Sequence, residues 1–361
     1  MKLNAKEAPF YLLSSLVLAG IAAIAYADHL AVSLSLAFLY FLPLALSALI
    51  HRLSTSLVLV LICVGLSDWF GLPDHAGWRH PVRNVVAAVG FTTVVLFVNR
   101  LTRQRALLTG AVRTQAEELA REMRLAAEVQ RRLLPNRPPN VPGFEIATRM
   151  KSAKAIGGDF YDFIEMPNGR LGIVIADVAG KGVPAGLFMP AVKIALRTNV
   201  HQEASLEQIL ARTNQIIYEL TDDERFASLF YAILDPATPH LSYINAGHQP
   251  PLLIRDATGG AVWLQTGGPV LGLLTDVAFQ TGSLELRPGD LLVLYTDGVV
   301  ETHGPNDEEF SRQRLLSVVT SHRQDSVERL IDAIYASVAA FSRAESPEDD
   351  ATVLIVRAKG I

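Results

Sequence analysis

The sequence contains very little cysteine and few charged residues. Its single cysteine, Cys63, excludes a disulfide framework and a thiolate metal cluster, so any metal site must use carboxylates and histidines. Charged residues make up 19% of the 361 residues, below the typical ~25%, while hydrophobic residues reach 50% and the mean hydropathy is +0.27. This composition excludes a disordered chain and indicates a membrane-embedded part. The net charge of −4 and the pI near 6.1 give no footprint for nucleic acid.

The first hundred residues contain four apolar segments with short, charged connections. The segments cover residues 9–27, 30–50, 54–70 and 83–99. Each is near the ~20 residues that cross a hydrocarbon core, and none has the amphipathic face of a buried helix in a soluble core. We therefore predict a transmembrane module over residues 1–100.

The positive charges predict the orientation of this module. They mark the cytoplasmic side at Lys2, Lys6, Arg52, Arg100, Arg103 and Arg105, with Arg79 and Arg83 as exceptions. Ala25-Tyr26-Ala27 resembles a signal-peptide cleavage site, and cleavage there would leave three spans instead of four. Both alternatives predict a multi-pass protein of the cell membrane whose remaining chain is cytoplasmic.

Residues 101–134 have the composition of a long helix. The segment is rich in Arg, Glu, Leu and Ala, lacks proline, and repeats apolar residues every seven positions at Val112, Leu119, Ala126 and Leu133. This heptad pattern predicts a parallel coiled coil, and hence a homodimer. The alternative is a single amphipathic helix lying on its own domain. Pro135 ends the segment and begins a predicted domain over residues 135–361.

Beyond residue 142 the sequence changes to short β-rich runs mixed with helical patterns. Predicted strands are Phe144–Met150, Leu171–Ala176, Ser228–Leu234, Leu241–Asn245, Leu252–Ile254, Ala261–Leu264, Leu291–Thr296 and Thr352–Val356. Predicted helices are Val183–Val200, Leu206–Leu220, Ser311–Ser321 and Ser326–Ser342. This mixture predicts an α+β domain with antiparallel sheet and helices packed outside.

Aspartates stand at the ends of these strands or in turns beside them. Asp177 and Asp297 each terminate an apolar run, Asp159 and Asp162 lie in a predicted turn before Leu171, and Asp349-Asp350 precedes the last strand. A lone Asp-Gly is usually a turn, but four such positions in this order indicate a shared site. Gathered carboxylates raise one another's pKa, a conflict that a hard divalent cation resolves. Oxygen-only ligands suit Mg²⁺ or Mn²⁺.

The ordered motifs resemble a known family. The set Gly157-Gly-Asp-Phe-Tyr-Asp162, Ala176-Asp-Val-Ala-Gly-Lys-Gly182, Tyr295-Thr-Asp-Gly298 and Asp349-Asp-Ala-Thr352 is similar to metal-dependent serine/threonine phosphatases of the protein phosphatase 2C (PPM) superfamily. It is closest to the bacterial sporulation-protein-E-like branch, which the segments Glu128–Pro135 and Asn245–Pro251 also resemble. The resemblance covers residues 125–357 and excludes the membrane module.

The resemblance implies an αββα sandwich with two Mn²⁺ or Mg²⁺ ions at one end of the sheets. Asp177 would bridge both ions, and the carbonyl of Val178 would be a backbone ligand. Asp159 would hold one ion, largely through water, and Asp297 and Asp349 would complete the binding of the other. From spacing alone, Asp350 and Asp162 remain alternates. Water bridging the two ions would attack the phosphate in line, without a covalent phosphoenzyme.

Three cations in the stretch before Asp159 are candidates for binding the substrate phosphate, namely Arg149, Lys151 and Lys154, with a solvated strand edge as the alternative. His248 lies in a turn rich in glycine and proline, and we interpret it as structural rather than as a general acid. Lys181 follows the local family pattern and receives no catalytic role from the sequence.

The sequence thus predicts a membrane-anchored phosphatase that signals through its connecting helix. Its implied substrate is a phosphoserine or phosphothreonine on a partner protein, by resemblance a STAS-type anti-sigma-factor antagonist. One alternative is a nucleotide cyclase, because Gly157–Phe160 superficially resembles a GGDEF motif, but the Glu is missing. Another is a catalytically inactive receptor or scaffold on the phosphatase fold, although every ligand carboxylate is present.

Overall fold

The computed structural model describes residues 8–30, 37–70, 79–166, 169–202, 205–220, 225–256, 259–342 and 348–359. The chain divides into two compact units, Met1–Leu119 and Ala120–Ile361.

The first unit is helical. Its elements are α1 (Ala8–Leu30), a 3₁₀ turn (Ala37–Tyr40), α2 (Phe41–Ile50) and α3 (Leu53–Phe70). The unit also contains the N-terminal part of α4, a helix that runs from Arg79 to Leu133. The helices pack through a cluster of buried apolar side chains that includes Val17, Leu44, Val60, Cys63, Phe91 and Val95. Many other large apolar side chains of these helices are exposed, among them Leu12, Leu42, Leu61, Val85 and Phe97.

The predicted four-helix transmembrane bundle is not confirmed. Among the described residues one helix, Asn84–Leu133, is long and apolar enough to cross a membrane, while the apolar stretches of the three preceding helices are shorter. Within the described residues, the second predicted span does not form one long helix. Residues 37–50 form a 3₁₀ turn followed by the ten residues of α2, which extend only about 15 Å.

The fourth apolar segment and the predicted coil form one continuous helix. α4 contains 55 residues and extends about 80 Å. The heptad residues Val112, Leu119 and Leu133 are exposed, with 40–65% of each residue's surface accessible. The helix ends at Leu133, one residue before the predicted boundary.

The second unit contains two β-sheets. The strands are β1 (Phe144–Lys151), β2 (Phe160–Glu165), β3 (Leu171–Val178), β4 (Ala227–Asp235), β5 (His240–Ala246), β6 (Leu252–Ile254), β7 (Ala261–Trp263), β8 (Gly267–Gly268), β9 (Gly282–Glu285), β10 (Leu291–Tyr295) and β11 (Ala351–Ala358). One sheet has the order β1-β11-β10-β6-β7 and the other β2-β3-β4-β5-β8, with β9 also pairing with β5. All pairs are antiparallel except β5 with β8.

Helices cover the outer face of each sheet. They are α5 (Val183–Val200), α6 (Leu206–Leu220), α7 (Asp297–Val300), α8 (Ser311–Ser321) and α9 (Val327–Ser342). α5 and α6 pack on the β2–β5 sheet, α8 and α9 pack on the β10–β11 sheet, and a third core that contains Phe230, Leu292 and Leu354 lies between the sheets. This packing is that of the predicted αββα sandwich, and the α+β class is confirmed.

One local prediction was wrong. The motif Gly157–Asp162 was expected to lie in a turn, but Phe160–Glu165 forms β2, which pairs with β3. Phe160, Phe163 and Ile164 are buried between the layers, and their burial stabilises an extended strand. The two glycines and the polar residues between the apolar positions hid this strand in the sequence.

Candidate active site

Five aspartates from both sheets gather at one end of the sandwich. Asp159 precedes β2, and Asp177 lies at the end of β3, which runs antiparallel beside it. Asp297 begins α7 directly after β10, and Asp349 and Asp350 precede β11, the antiparallel neighbour of β10. The predicted convergence of carboxylates at one rim of the sheets is therefore present in the structure.

Asp159 is buried between two threonine hydroxyls. Its Oδ2 accepts hydrogen bonds from Thr296 Oγ1 at 2.7 Å and from Thr352 Oγ1 at 2.6 Å. Its Oδ1 is buried and has no hydrogen-bond partner among the described residues. A buried carboxylate oxygen without a donor is costly, so this oxygen is available to a cation.

Three aspartates of the cluster have raised pKa values. Burial, followed by the charge of Asp177, raises the pKa of Asp159 well above its usual range. Burial, followed by the charges of Asp297, Asp349 and Asp350, raises the pKa of Asp177 to about 7. Burial, followed by the charge of Asp349, also raises the pKa of Asp297. The carboxylates therefore raise one another's pKa as expected, although burial raises it more.

The two adjacent aspartates before β11 have different surroundings. Asp350 accepts hydrogen bonds from the backbone N–H of Ala153 through Oδ1 and of Gly158 through Oδ2, both at 2.9 Å. Asp349 Oδ2 lies 2.6 Å from Lys181 Nζ, and its side chain is 39% exposed. Asp350 therefore positions the loop that carries Asp159, while Asp349 is accessible from outside.

The backbone at Gly158 leaves room for a cation beside Asp177. A Cβ at this position would lie 2.7 Å from the carbonyl oxygen of Val178 and 3.2 Å from Asp177 Oδ1. These two oxygens, together with the unpartnered Oδ1 of Asp159, are the hard donors that Mg²⁺ and Mn²⁺ prefer, so the residues fit such an ion. The described residues do not form a closed group of three or more ligating side chains, so the carboxylates would have to draw together around it.

The three candidate phosphate-binding cations lie in different places. Arg149 forms an ion pair with Asp332 of α9, and Lys151 Nζ lies 4.6 Å from the ring centre of Tyr335, also of α9. Lys154 is exposed, and its Cδ lies 3.8 Å from where a Cβ on Gly182 would be. Lys154 is thus next to the loop that follows Asp177, whereas the other two contact α9.

Two further predicted residues lie in structural environments. The alternate ligand Asp162 is buried in β2, where its carboxylate binds Arg197 at 2.5 Å and Lys193 at 2.9 Å, both on α5. Two cations already neutralise this carboxylate. His248 is buried, its Nδ1 lies 2.8 Å from Ser228 Oγ, and burial lowers its pKa to about 4. These contacts agree with a structural role for His248.

Sequence reasoning missed Thr296, Thr352 and Gln130. Each threonine stands next to an acidic motif, in Thr296-Asp297 and in Asp350-Ala-Thr352, and this adjacency is the only sequence signal for them. Gln130, near the end of α4, donates through Nε2 to the carbonyl of Gly157 at 2.7 Å and accepts from its N–H at 3.2 Å. The connecting helix therefore contacts the backbone that leads to Asp159.

A small cavity lies beside the carboxylates. Its volume is about 150 Å³, and it is lined by Lys181, Asp297, Gly298, Glu301, Thr302, His303, Glu348 and Asp349. The polar side chains of this cavity and the raised pKa values of the adjacent aspartates are typical of a catalytic centre.

Comparison with known proteins identifies the family. The family model of stage II sporulation protein E (SpoIIE) matches residues 167–359, more than half of the chain. The chain belongs to the SpoIIE family. The matched region begins a few residues before β3 and includes the segments that carry Asp177, Asp297 and Asp349. The resemblance seen in the sequence motifs is thus confirmed for this domain.

The chain is also similar to two curated proteins. The chain is 30% identical over 262 residues to protein IcfG of Synechocystis sp., covering 65% of this chain and 41% of that protein. It is 29% identical over 243 residues to phosphoserine phosphatase RsbU of Bacillus subtilis, covering 67% of this chain and 72% of that protein. The chain thus spans less than half of the first relative. The name of the second relative supports the prediction of a phosphoprotein phosphatase.

A solved structure supports the fold. The PP2C domain of SiaA from Pseudomonas aeruginosa has a TM-score of 0.60 and 21% identity, and the match covers 67% of this chain and 98% of that domain. The second unit is therefore a PP2C-like phosphatase fold.

Proposed function

We propose that the protein is a membrane-anchored, metal-dependent serine/threonine phosphatase. Its substrate would be a phosphoserine or phosphothreonine on a partner signalling protein, with a STAS-type anti-sigma-factor antagonist as the substrate class. The observation that carries the proposal is the convergence of five aspartates beside an open cavity on a SpoIIE-family domain. The relative named as a phosphoserine phosphatase supports the substrate class.

The aspartates divide into ligands and supports. Asp177 would bridge two Mn²⁺ or Mg²⁺ ions beside the carbonyl of Val178, Asp159 would offer its unpartnered Oδ1, and Asp297 and Asp349 would hold the more exposed ion. Because both oxygens of Asp350 accept backbone hydrogen bonds, we assign it to positioning the Asp159 loop. The bound cations would supply an acidified water for in-line attack and neutralise the charge of the phosphate.

Of the three candidate cations, Lys154 is the one we propose to bind the substrate phosphate. It is exposed next to the Gly182 loop, whereas Arg149 and Lys151 contact α9. We expect Lys154→Gln to raise the KM for a phosphopeptide several-fold while kcat changes little, since a single exposed charge mainly affects binding. An unchanged KM would contradict this role.

We further propose that the first unit anchors the protein in the membrane with several helices and that α4 forms a parallel coiled coil in a homodimer. Large apolar side chains are exposed on each of the first four helices, which is unfavourable in water and favourable in lipid. The exposed heptad residues Val112, Leu119 and Leu133 support a helical partner. Membrane fractionation and cross-linking through a Leu119→Cys variant in a Cys63→Ser background test the two proposals.

The test of the activity is metal-dependent turnover by the full chain. The protein is purified in detergent, stripped of metal, and assayed on a phosphoserine peptide with and without Mn²⁺. The variants Asp177→Asn and Asp297→Asn keep the shape of each side chain and remove its charge. Asp325→Asn is the matched control, because Asp325 is partly exposed between α8 and α9 and, among the described residues, its carboxylate pairs with the side chain of His322.

Turnover that requires Mn²⁺, is lost in both site variants and is retained in the control would support the phosphatase. Turnover that is independent of added metal and of Asp177 would contradict the proposed centre. Absence of turnover together with absence of Mn²⁺ binding by calorimetry would favour the inactive scaffold instead.

A further inference from the structure

The loop after Asp177 directs a lysine towards the acidic cluster. Residues 179–182 connect β3 to α5, and Gly180 and Gly182 have φ angles of 105° and 78°. L-residues with side chains rarely adopt these angles, so the two glycines determine the path of the loop around Lys181. Lys181 Nζ lies 2.6 Å from Asp349 Oδ2 and lines the cavity beside Asp297.

This ion pair has little value for folding. The side chains of Lys181 and Asp349 are 56% and 39% exposed, and ion pairs with such exposure contribute little to stability. The pair instead involves a carboxylate that the proposed metal centre needs. The charge of Lys181 also acts on Asp297, where it opposes the rise in pKa that burial and Asp349 produce.

Both carboxylate oxygens of Asp349 are bound by groups of this chain. Asp349 Oδ1 accepts a hydrogen bond from the N–H of Asp350 at 2.9 Å, and its Oδ2 binds Lys181. Both oxygens thus have donors, and an incoming cation would have to displace the ammonium group.

We propose that Lys181 is a counterion built into the chain. In the metal-free protein it binds Asp349, where the more exposed of the two proposed cations would bind. When that cation binds, Lys181 contacts the substrate phosphate instead. The inference rests on the proposed metal-dependent phosphatase and adds a positioning and phosphate-binding residue to it. A lysine suits both states, because its three donors on a flexible stem bind a carboxylate or a phosphate as a point charge.

Removing the charge of Lys181 should have opposite effects on the affinity for Mn²⁺ and on the affinity for phosphate. In Lys181→Met the competitor for Asp349 is lost, so Mn²⁺ should bind more tightly, by about two- to fivefold, with fivefold as the upper limit for an exposed ion pair. The same variant should bind inorganic phosphate about fivefold more weakly once loaded with Mn²⁺. Lys181→Arg keeps the charge and should restore phosphate binding.

The experiment measures binding without turnover. Mn²⁺ affinity of the full chain is determined by isothermal titration calorimetry with the metal alone, and inorganic phosphate is then titrated into the Mn²⁺-loaded protein. Lys359→Met is the matched control, because Lys359 is 54% exposed, pairs with Glu145, and lies at the opposite end of β11. It should leave both affinities unchanged.

Tighter Mn²⁺ binding combined with weaker phosphate binding in Lys181→Met supports the proposal. Unchanged or weaker Mn²⁺ binding in this variant, with normal binding by the wild type, overturns it and leaves the proposed function intact. Absence of Mn²⁺ binding by the wild type contradicts the proposed function itself.

Discussion

Asp177→Asn is expected to stabilise the metal-free protein at pH 8 while removing its activity. The pKa of Asp177 rises from 3.8 to about 7, which corresponds to about 4 kcal/mol of unfavourable free energy for the charged carboxylate in the folded state. Because the neighbouring aspartates share this repulsion, we expect about 2–4 kcal/mol to be recovered by a neutral amide of the same shape.

The pH dependence has a defined sign. A raised pKa means that the folded state holds a proton that the unfolded chain releases. The resulting stability is complete below pH 3.8 and is lost as the pH rises through about 7. In a chelator, the wild type should therefore lose stability between about pH 4 and pH 7, and Asp177→Asn should lose less.

Thermal unfolding of the full chain in a chelator measures this effect. For a unit of this size, 2–4 kcal/mol corresponds to a rise in Tm of about 5–15 °C at pH 8. Asp325→Asn is the control and should shift Tm little, because its carboxylate is partly exposed. A lower Tm for Asp177→Asn at pH 8 would refute the reasoning, since it would show that the charged carboxylate stabilises the metal-free fold.

Three other substitutions test the supports of the site. Gly157→Ala would place a Cβ 2.1 Å from Asp350 Oδ2, so we expect loss of Mn²⁺ binding by calorimetry, and full binding would contradict the close packing. Gln130→Leu removes the hydrogen bonds to Gly157, so it should lower the free energy of unfolding in denaturant by about 1–2 kcal/mol and reduce kcat. An unchanged kcat would show that this contact of α4 does not affect the active site. Thr352→Val removes a donor to Asp159 and should raise the pH at which Mn²⁺ binds, whereas Thr352→Ser should not; equal pH profiles would exclude this role.

The sequence predicted helices and strands correctly where the local signal, such as a proline in the first turn or a continuous apolar pattern, was strong. α5 begins and ends at the predicted residues, because Pro184 suits the first turn of a helix and the apolar pattern continues to Val200. The motif aspartates were found because strands ending in Asp bring carboxylates to one rim. β2 was missed because Gly157-Gly158 signals a turn immediately before it.

The remaining features depend on contacts between distant residues. The two threonines that bind Asp159 lie 137 and 193 positions away in the chain, so no local pattern links them to it. Spacing could not show which of Asp349 and Asp350 is the metal ligand. The difference between them depends on backbone N–H groups of the distant loop before Asp159, which donate to Asp350. The sequence could not distinguish Lys154 from Arg149 and Lys151 as the phosphate-binding residue, because the contacts of the last two with α9 depend on how α9 packs beside β1.

The backbone of Gly157 and Gly158 is held between two side chains from distant parts of the chain. Gln130 binds it from one side, and Asp350 fills the space of a Cβ and accepts the next N–H from the other. Such a segment has no freedom for small, graded displacements, because packed contacts of this kind either hold or break. If α4 regulates this centre as proposed, the regulation should therefore be all-or-none, with a changing fraction of active molecules rather than a continuous change in the turnover of each one.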